Sequence, residues 1–287
     1  MTSGVQKEIH IREAEPGSSD TSTPRIKPSP KSERIPVPFE YTPSDDGTDE
    51  NLLILLHGLG DTHIPFAKLG KQLKLPQTAT LAIRAPEKIP YLYEEAYQWY
   101  ESFDPLGELL PHPNPTPAIQ LLEIIVLYLT TECQWPLQRI HWFGFAQGGS
   151  VVVEFALWWW KEKQVLALKK ALVPSSVTDA TSPTPSFGSI VTIAGPLLSY
   201  PGTLSSLSPT PLLVLSRPKP SELSFTPSDV TAFKKGFHTV IEQRYQNVKG
   251  GMPVGKEEWE PVMRFWSERL ERRIGGGELY EVLSGFS

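Results

Sequence analysis

The sequence predicts an α/β fold in which a mainly parallel sheet is covered by helices on both faces. Three observations carry that prediction. Apolar runs of strand length alternate along the chain with segments of helical spacing, as repeated strand–helix–strand units require. Several of those runs are continuously apolar, the mark of strands buried on both faces. The 287 residues suit one large domain or two small ones, and the single cysteine, Cys133, excludes an internal disulfide or a Cys-rich metal site.

Taken in order, residues 1–34 are rich in Ser, Thr, Pro, Lys and Glu and predict a disordered tail. Too little apolar surface is present there to offset the ordering entropy. "TSTPRIKPSPKSERIP" within it offers Ser/Thr-Pro sites to a kinase, although a plain flexible tail is the simpler reading. A domain spans 35–273. "NLLILLHGLGD" is a buried strand ending in a Gly-rich turn, and "HIPFAKLGKQLKL" has helical spacing. "ATLAIRAP" is a second strand, stopped by Pro86. "PTPAIQLLEIIVLYLTTECQW" is a helix with Thr116 as cap and Pro117 in its first turn. "QRIHWFGF" is a third strand and "QGGSVVVEFALWWWKEKQ" a helix. "FGSIVTIAG" and "TPLLVLS" are further strands. "TPSDVTAFKKG" is a short helix, "HTVIEQRY" a strand opened by His238, and "GKEEWEPVMRFWSERLERR" an amphipathic final helix. Its apolar set is Trp259, Val262, Met263, Phe265, Trp266 and Leu270. Residues 170–187 form a Ser/Thr/Pro-rich excursion, read as a surface loop in preference to a cap. Residues 274–287 are a Gly-led, loosely ordered tail.

Bulk properties remove several function classes. A net charge of −5 and a pI near 5.8 give no case for nucleic-acid binding. No apolar run reaches the length of a membrane span, and the N-terminus lacks a signal-peptide layout. A cytoplasmic location is expected, with the nucleus as the second choice. The 29 prolines, about twice the usual share, suggest irregular loops around a compact core. No His/Asp/Glu cluster has metal-ligand spacing, so neither a metal nor a cofactor is expected.

Two stretches fall where ligands sit in such a sheet, at the carboxyl ends of strands. The first is "LLHGLGD", Leu55 to Asp61, whose turn can expose backbone N–H groups to an oxyanion. The second is "GFAQGGS", Gly144 to Ser150. It follows a buried strand and opens a helix, the context of a nucleophile elbow, yet its central residue is Ala146. Gly144 and Gly148 relieve crowding at such a turn. Gln147 would supply a backbone N–H at the helix N-terminus, aided by the helix dipole.

With these pieces the chain resembles the carboxylesterase and acyl-protein thioesterase family (phospholipase/carboxylesterase type) of α/β-hydrolases. The resemblance rests on "LHGLGD" (Leu56–Asp61), "APEKIP" (Ala85–Pro90), "YQWYESFD" (Tyr97–Asp104) and "GFAQGGS", with the strand "IVTIAGPL" at fitting distance. It covers roughly residues 50–273. It implies an α/β-hydrolase fold and a Ser, Asp, His triad in that chain order. Carried over, the serine position holds Ala146. The aspartate falls on Pro220 in "SRPKPSE", with Glu222 the nearest acid. The histidine falls on Met252 or Pro253 in "VKGGMPVGKEEW". His238, the only histidine after residue 146, lies well upstream. The implied oxyanion donors, the N–H groups of Leu59 and Gln147, need no particular side chain.

Three missing members favour natural loss over a single laboratory substitution. The expected protein is therefore a non-catalytic binding or regulatory pseudo-hydrolase. An active ester or thioester hydrolase with a rearranged site is the alternative. An acyl or other hydrophobic small ligand in the cleft and a protein partner are the expected occupants. Ser150 reads as a packing residue, His57 as packed in its turn, Asp61 as a tie for the loop and Cys133 as a buried filler. The run Trp158, Trp159, Trp160 reads as core in preference to a partner surface.

Overall fold

A computed structural model describes residues 10–13, 26–90, 94–171, 186–202, 206–221, 224–248, 251–273 and 280–283. In chain order the strands are β1 (His10–Glu13), β2 (Phe39–Thr42), β3 (Asn51–Leu56), β4 (Thr78–Ile83), β5 (Glu87–Lys88), β6 (Tyr97–Gln98), β7 (Ile140–Phe145), β8 (Ser189–Ile193), β9 (Leu212–Ser216), β10 (Val240–Arg244) and β11 (Tyr280–Leu283). The helices are α1 (His63–Leu73), α2 (Thr116–Thr131), α3 (Gln147–Ala171), α4 (Pro227–Gly236) and α5 (Gly255–Ser267).

Seven strands form one sheet in the order β10-β9-β8-β7-β3-β4-β2. All pairings are parallel except that of β2, which runs antiparallel to β4 at the edge. The chain winds from β3 to β4 on one side and returns to place β7 on the other. The point where winding reverses, between β3 and β7, is where such sheets open a ligand crevice. Register pairs Leu56 with Gly144, so the turns that follow these two strands emerge side by side.

The continuous apolar runs serve two cores at once. On one face, Leu52, Ile54, Leu56 and Trp142 pack with α2 and α3; on the other, Leu53, Leu55 and Phe143 pack with α1 and α5. The period of two along a strand divides them, which is why neither face of these strands can be polar. The tryptophan run is core: Trp159 and Trp160 are buried, and Trp158 is partly buried with its ring stacked on Phe155. Cys133 is buried in the same core.

Several expectations are corrected. Residues 26–34 are not tail but a strap on the domain. The Lys27 N–H donates to Asp49 Oδ2 at 3.0 Å and the Lys31 N–H to the Tyr128 hydroxyl at 2.9 Å, and Ile35 enters the core. Composition hid this because backbone N–H groups and the charged side chains of Lys27, over Trp135, and Arg34, on Glu132 and Tyr128, make these attachments, with little apolar surface. The N-cap position of α2 is Pro115, not Thr116, and Asn114 Oδ1 accepts the Thr116 N–H at 3.1 Å. Val262, Phe265 and Trp266 of α5 and Leu270 just beyond its end are buried, but Met263 is 37% exposed. At 100° per residue it stands at the margin of the apolar stripe. His238 precedes β10 and does not open it. The antiparallel edge strand β2 escaped the sequence reading, as did the short pair β5–β6 and the pairing of β1 with β11. The 170–187 excursion lies mostly outside the described residues.

Candidate active site

The strand β7 ends in a turn that keeps the geometry of a nucleophile elbow. Ala146 has φ +47°, a left-handed conformation that costs a non-glycine residue about 1 kcal/mol. It is held there by its N–H, which donates to Ile193 O at 2.8 Å, and by its carbonyl, which accepts the Ser150 N–H at 3.0 Å. The flanking glycines are dictated by close approach. A Cβ on Gly144 would lie 2.6 Å from Gly148 O, and one on Gly148 would lie 2.5 Å from His57 O. The helix α3 is thus pressed against the end of β3, with its N-terminus at the crevice.

The turn after β3 faces this elbow. Gly58 lies close enough that a Cβ there would meet Phe145 Cδ1 at 2.9 Å and Ala146 Cβ at 3.5 Å. Leu59 follows, its side chain 39% exposed. Its N–H and that of Gln147 take no acceptor among the described residues, so two donors stand on adjoining turns. His57 is fully buried. Its Nε2 accepts the Ala85 N–H at 2.9 Å, so the proton sits on Nδ1, which donates to Gly58 O at 2.7 Å. Burial lowers its pKa to about 4. With both ring nitrogens engaged, His57 has no free base to offer. Asp61 Oδ1 accepts the Thr62 N–H at 2.7 Å and ties the loop. His63 begins α1, and burial lowers its pKa too.

The side chain of Gln147 does work that sequence reading missed. Its Oε1 accepts the Trp99 N–H at 2.9 Å, while its Nε2 donates to Tyr100 O and Ser102 Oγ, both at 2.8 Å. Trp99 Nε1 in turn donates to His57 O at 2.9 Å, and the Gly60 N–H reaches Tyr97 O at 3.0 Å. The segment "YQWYESFD" therefore laces both turns together. Ser150 is buried behind the elbow and hydrogen-bonds the Tyr100 phenol, so it packs within the helix as expected.

Near the segments on which the resemblance places the other two triad members lies a buried charged pair. Directly after β9 comes Arg217, whose side chain is 1% exposed. Its Nη1 donates to Glu258 Oε1 at 2.6 Å and Asn247 O at 3.2 Å. Its Nη2 donates to Glu258 Oε2 at 2.9 Å, Met252 O at 3.3 Å and Gly251 O at 3.4 Å. The guanidinium lies 4.6 Å from the centre of the Tyr245 ring. The Arg217 bonds hold the Glu258 carboxyl below the usual carboxylate range, and Glu258 raises Arg217 in turn. Glu258 Oε2 also accepts the Val254 N–H at 2.8 Å, capping the start of α5.

A buried cation thus binds the loop on which the resemblance places the histidine. In that loop Pro253 is buried and Met252 packs on the α5 core. A Cβ on Gly251 would meet Phe145 Cζ at 3.2 Å, so the Phe145 ring spans from this loop to Gly58. Pro220 sits three residues past Arg217, and Glu222 lies outside the described residues. His238 cannot reach the site. It precedes β10, which is parallel to β9, so it lies at the opposite end of the sheet. The only forward signals for the Arg217–Glu258 pair were an arginine ending a buried strand and an acid in the first turn of α5. Among the described residues, no three His, Cys, Asp or Glu side chains are grouped to hold a metal, and no helix is long and apolar enough to cross a membrane.

Comparison with known proteins gives one consistent answer. A family model described as phospholipase/carboxylesterase matches residues 40–187. An uncharacterized hydrolase of Mycosarcoma maydis is 35% identical over 239 residues, 82% of each chain. An uncharacterized hydrolase of Schizosaccharomyces pombe is 32% identical over 115 residues, 38% of this chain and 47% of its own. Among solved structures, Zea mays acyl-protein thioesterase 2 aligns with TM-score 0.55 at 19% identity, covering 82% of this chain and 100% of that one. Esterase PE8 aligns with TM-score 0.61 at 16% identity, covering 82% and 99%. These two likenesses establish the α/β-hydrolase fold.

Proposed function

The chain belongs to the phospholipase/carboxylesterase family of α/β-hydrolases, and we propose that within it this protein binds an acyl or other hydrophobic ligand without turning it over. The observation that carries the reading is the elbow itself. Ala146 stands in the left-handed conformation of a nucleophile, with no hydroxyl, thiol or carboxylate to attack. Strain kept at a turn that has lost its nucleophile argues that the surrounding cleft still has a use. The Arg217–Glu258 pair supports the same reading, since it occupies the region where the family keeps its acid and base.

The two donors, Leu59 N–H and Gln147 N–H, would receive a carbonyl or carboxylate oxygen of the bound molecule. Loss of a single triad member typically costs a factor of about 10⁴–10⁶ in turnover, so binding outlasts catalysis in such a site. The protein then acts as a binding or regulatory module.

The test is a turnover assay with short- and long-chain p-nitrophenyl esters and a palmitoyl thioester, beside labelling with a fluorophosphonate. No turnover above background and no labelled serine are expected, while native mass spectrometry of the purified protein shows a bound lipid. Turnover well above background, with the label mapped to one serine, would replace this reading with an active hydrolase having a rearranged site. The A146S variant is expected to stay inactive, because His57 is engaged at both nitrogens and His238 lies at the far end of the sheet.

A further inference from the structure

The segment that laces the site continues into a hairpin. Phe103 pairs antiparallel with Leu109, and the Leu110 N–H donates to Ser102 O at 2.9 Å. The tip is braced from within. Asp104 Oδ1 accepts the N–H groups of Leu106 and Glu108, each at 2.9 Å, and the Gly107 N–H donates to Asp104 O at 3.0 Å. Gly107 takes φ +82°, which lets the turn close. At its root Ser102 is fixed by Gln147, so the hairpin rises from the N-terminus of α3. On this rigid stalk Leu106 is 87% exposed, Leu109 73% and Phe103 47%.

Single exposed leucines are ordinary on protein surfaces. Three large apolar side chains within seven residues, presented without freedom to fold back, are a preorganised contact surface. Their electrostatic setting selects the occupant. Between Lys88 and Arg139 the chain contains no lysine or arginine, while Glu94, Glu95, Glu101, Asp104, Glu108, Glu123 and Glu132 all fall there. Glu94, Glu95, Glu101 and Glu108 are exposed, and among the described residues none of these four is paired with a cation. Such a surface repels phosphate backbones and anionic lipid headgroups and attracts cations.

We propose that the 102–110 hairpin is a docking finger for a basic protein segment carrying apolar side chains. Leu106 and Leu109 are the anchors, and the flanking glutamates draw in and orient lysines or arginines of the partner. This interaction is independent of whether the cleft turns over a substrate.

The test uses the full chain and three fluorescein-labelled 12-residue peptides of alternating Leu and Lys, alternating Leu and Glu, and alternating Ser and Lys, followed by fluorescence anisotropy. The Leu/Lys peptide binds, the other two at least tenfold more weakly. Raising salt from 50 to 300 mM weakens binding several-fold, as expected of an exposed charge contribution. L106S/L109S loses at least tenfold, E101Q/E108Q a smaller factor, and the control V254S, at an exposed position outside the hairpin, nothing. Thermal melting of each variant establishes that it is folded.

Equal binding of Leu/Lys to wild type and L106S/L109S, no binding at all, or equal binding of Leu/Glu overturns the proposal. Two further arms assign the finger elsewhere if positive. One is co-sedimentation with phosphatidylcholine vesicles that depends on Leu106 and Leu109. The other is a dimer, seen by sedimentation equilibrium, that L106S/L109S abolishes.

Discussion

Replacing Arg217 with methionine removes the charge while keeping most of the stem volume. It deletes a bidentate bond to Glu258 and donors to three carbonyls, those of Asn247, Gly251 and Met252. Breaking a buried ion pair by removing one partner costs about 3–5 kcal/mol, because the other charge stays behind unpaired. Glu258 keeps 18% of its side-chain surface, so water can reach it and the lower part of that range, about 3–4 kcal/mol, applies. In a domain of this size each kcal/mol shifts the melting midpoint by about 2–4 °C, giving a fall of roughly 6–16 °C. The assay is urea unfolding followed by tryptophan fluorescence, which should show a lower midpoint with an unchanged slope.

The pH dependence carries a definite sign. The folded-state pKa of Glu258 is depressed, so its contribution is complete above the ordinary value of about 4.5 and is lost as pH falls through the folded value. The gap between wild type and R217M should therefore narrow in that acid window. The double variant R217M/E258L should lose less than the sum of its single variants, since it leaves no unpaired charge. An R217M loss below about 1 kcal/mol, the worth of an exposed pair, or strict additivity in the double variant, would refute the argument that this pair holds the loop before α5.

Three other outcomes are expected. A146G relieves left-handed strain worth about 1 kcal/mol at the expense of added freedom in the unfolded chain, so its stability should equal or slightly exceed wild type. G144A instead meets backbone at 2.6 Å and should lose about 3 kcal/mol or more, both read from urea midpoints. Burial lowers the pKa of His57 to about 4 and of His141 to about 3, so the unfolded chain binds protons first. Stability should fall as pH drops below 6.5, by at most about 1.4 kcal/mol per pH unit for each histidine, and H141N should remove its share of that slope in a melting series from pH 7.5 to 5. Finally, Glu154 accepts the N–H groups of Leu198 and Ser199 and the Ser199 hydroxyl at 2.6–2.8 Å, anchoring the chain that follows β8. E154A should cost about 3 kcal/mol, whereas E154Q, which keeps an acceptor for the two N–H groups, should cost about 1, as measured by calorimetry.

The elements of the sheet and its helices were legible because their signals are local. "NLLILL" and "QRIHWFGF" must be buried on both faces whatever they pair with, and the final helix shows its stripe without its neighbours. The elbow was legible for a similar reason. Gly144 answers to a steric demand within a few residues, from Gly148 and Gly149, whereas the demand on Gly148 comes from Leu56 and His57 on the adjoining turn. What escaped is what depends on distant partners. The strap at 26–34 carries no apolar signature because backbone N–H groups attach it to Asp49 and Tyr128, and the charged side chains of Lys27 and Arg34 attach it to Trp135, Glu132 and Tyr128. The side chain of Gln147 looks like a spare polar group until Trp99, Tyr100 and Ser102 are placed around it.

By itself, then, the sequence determined the α/β class, the two-faced core, the elbow without a nucleophile and the absence of an acid or histidine at the matching positions. These follow from residue type and short-range spacing. Only the tertiary structure decided which residues hold the loop before α5 beside the elbow. Arg217 and Glu258 are 41 residues apart in the chain, and nothing local marks them as partners. They meet because β9 ends beside the start of α5, where burial turns two ordinary charged residues into the clamp of the loop between.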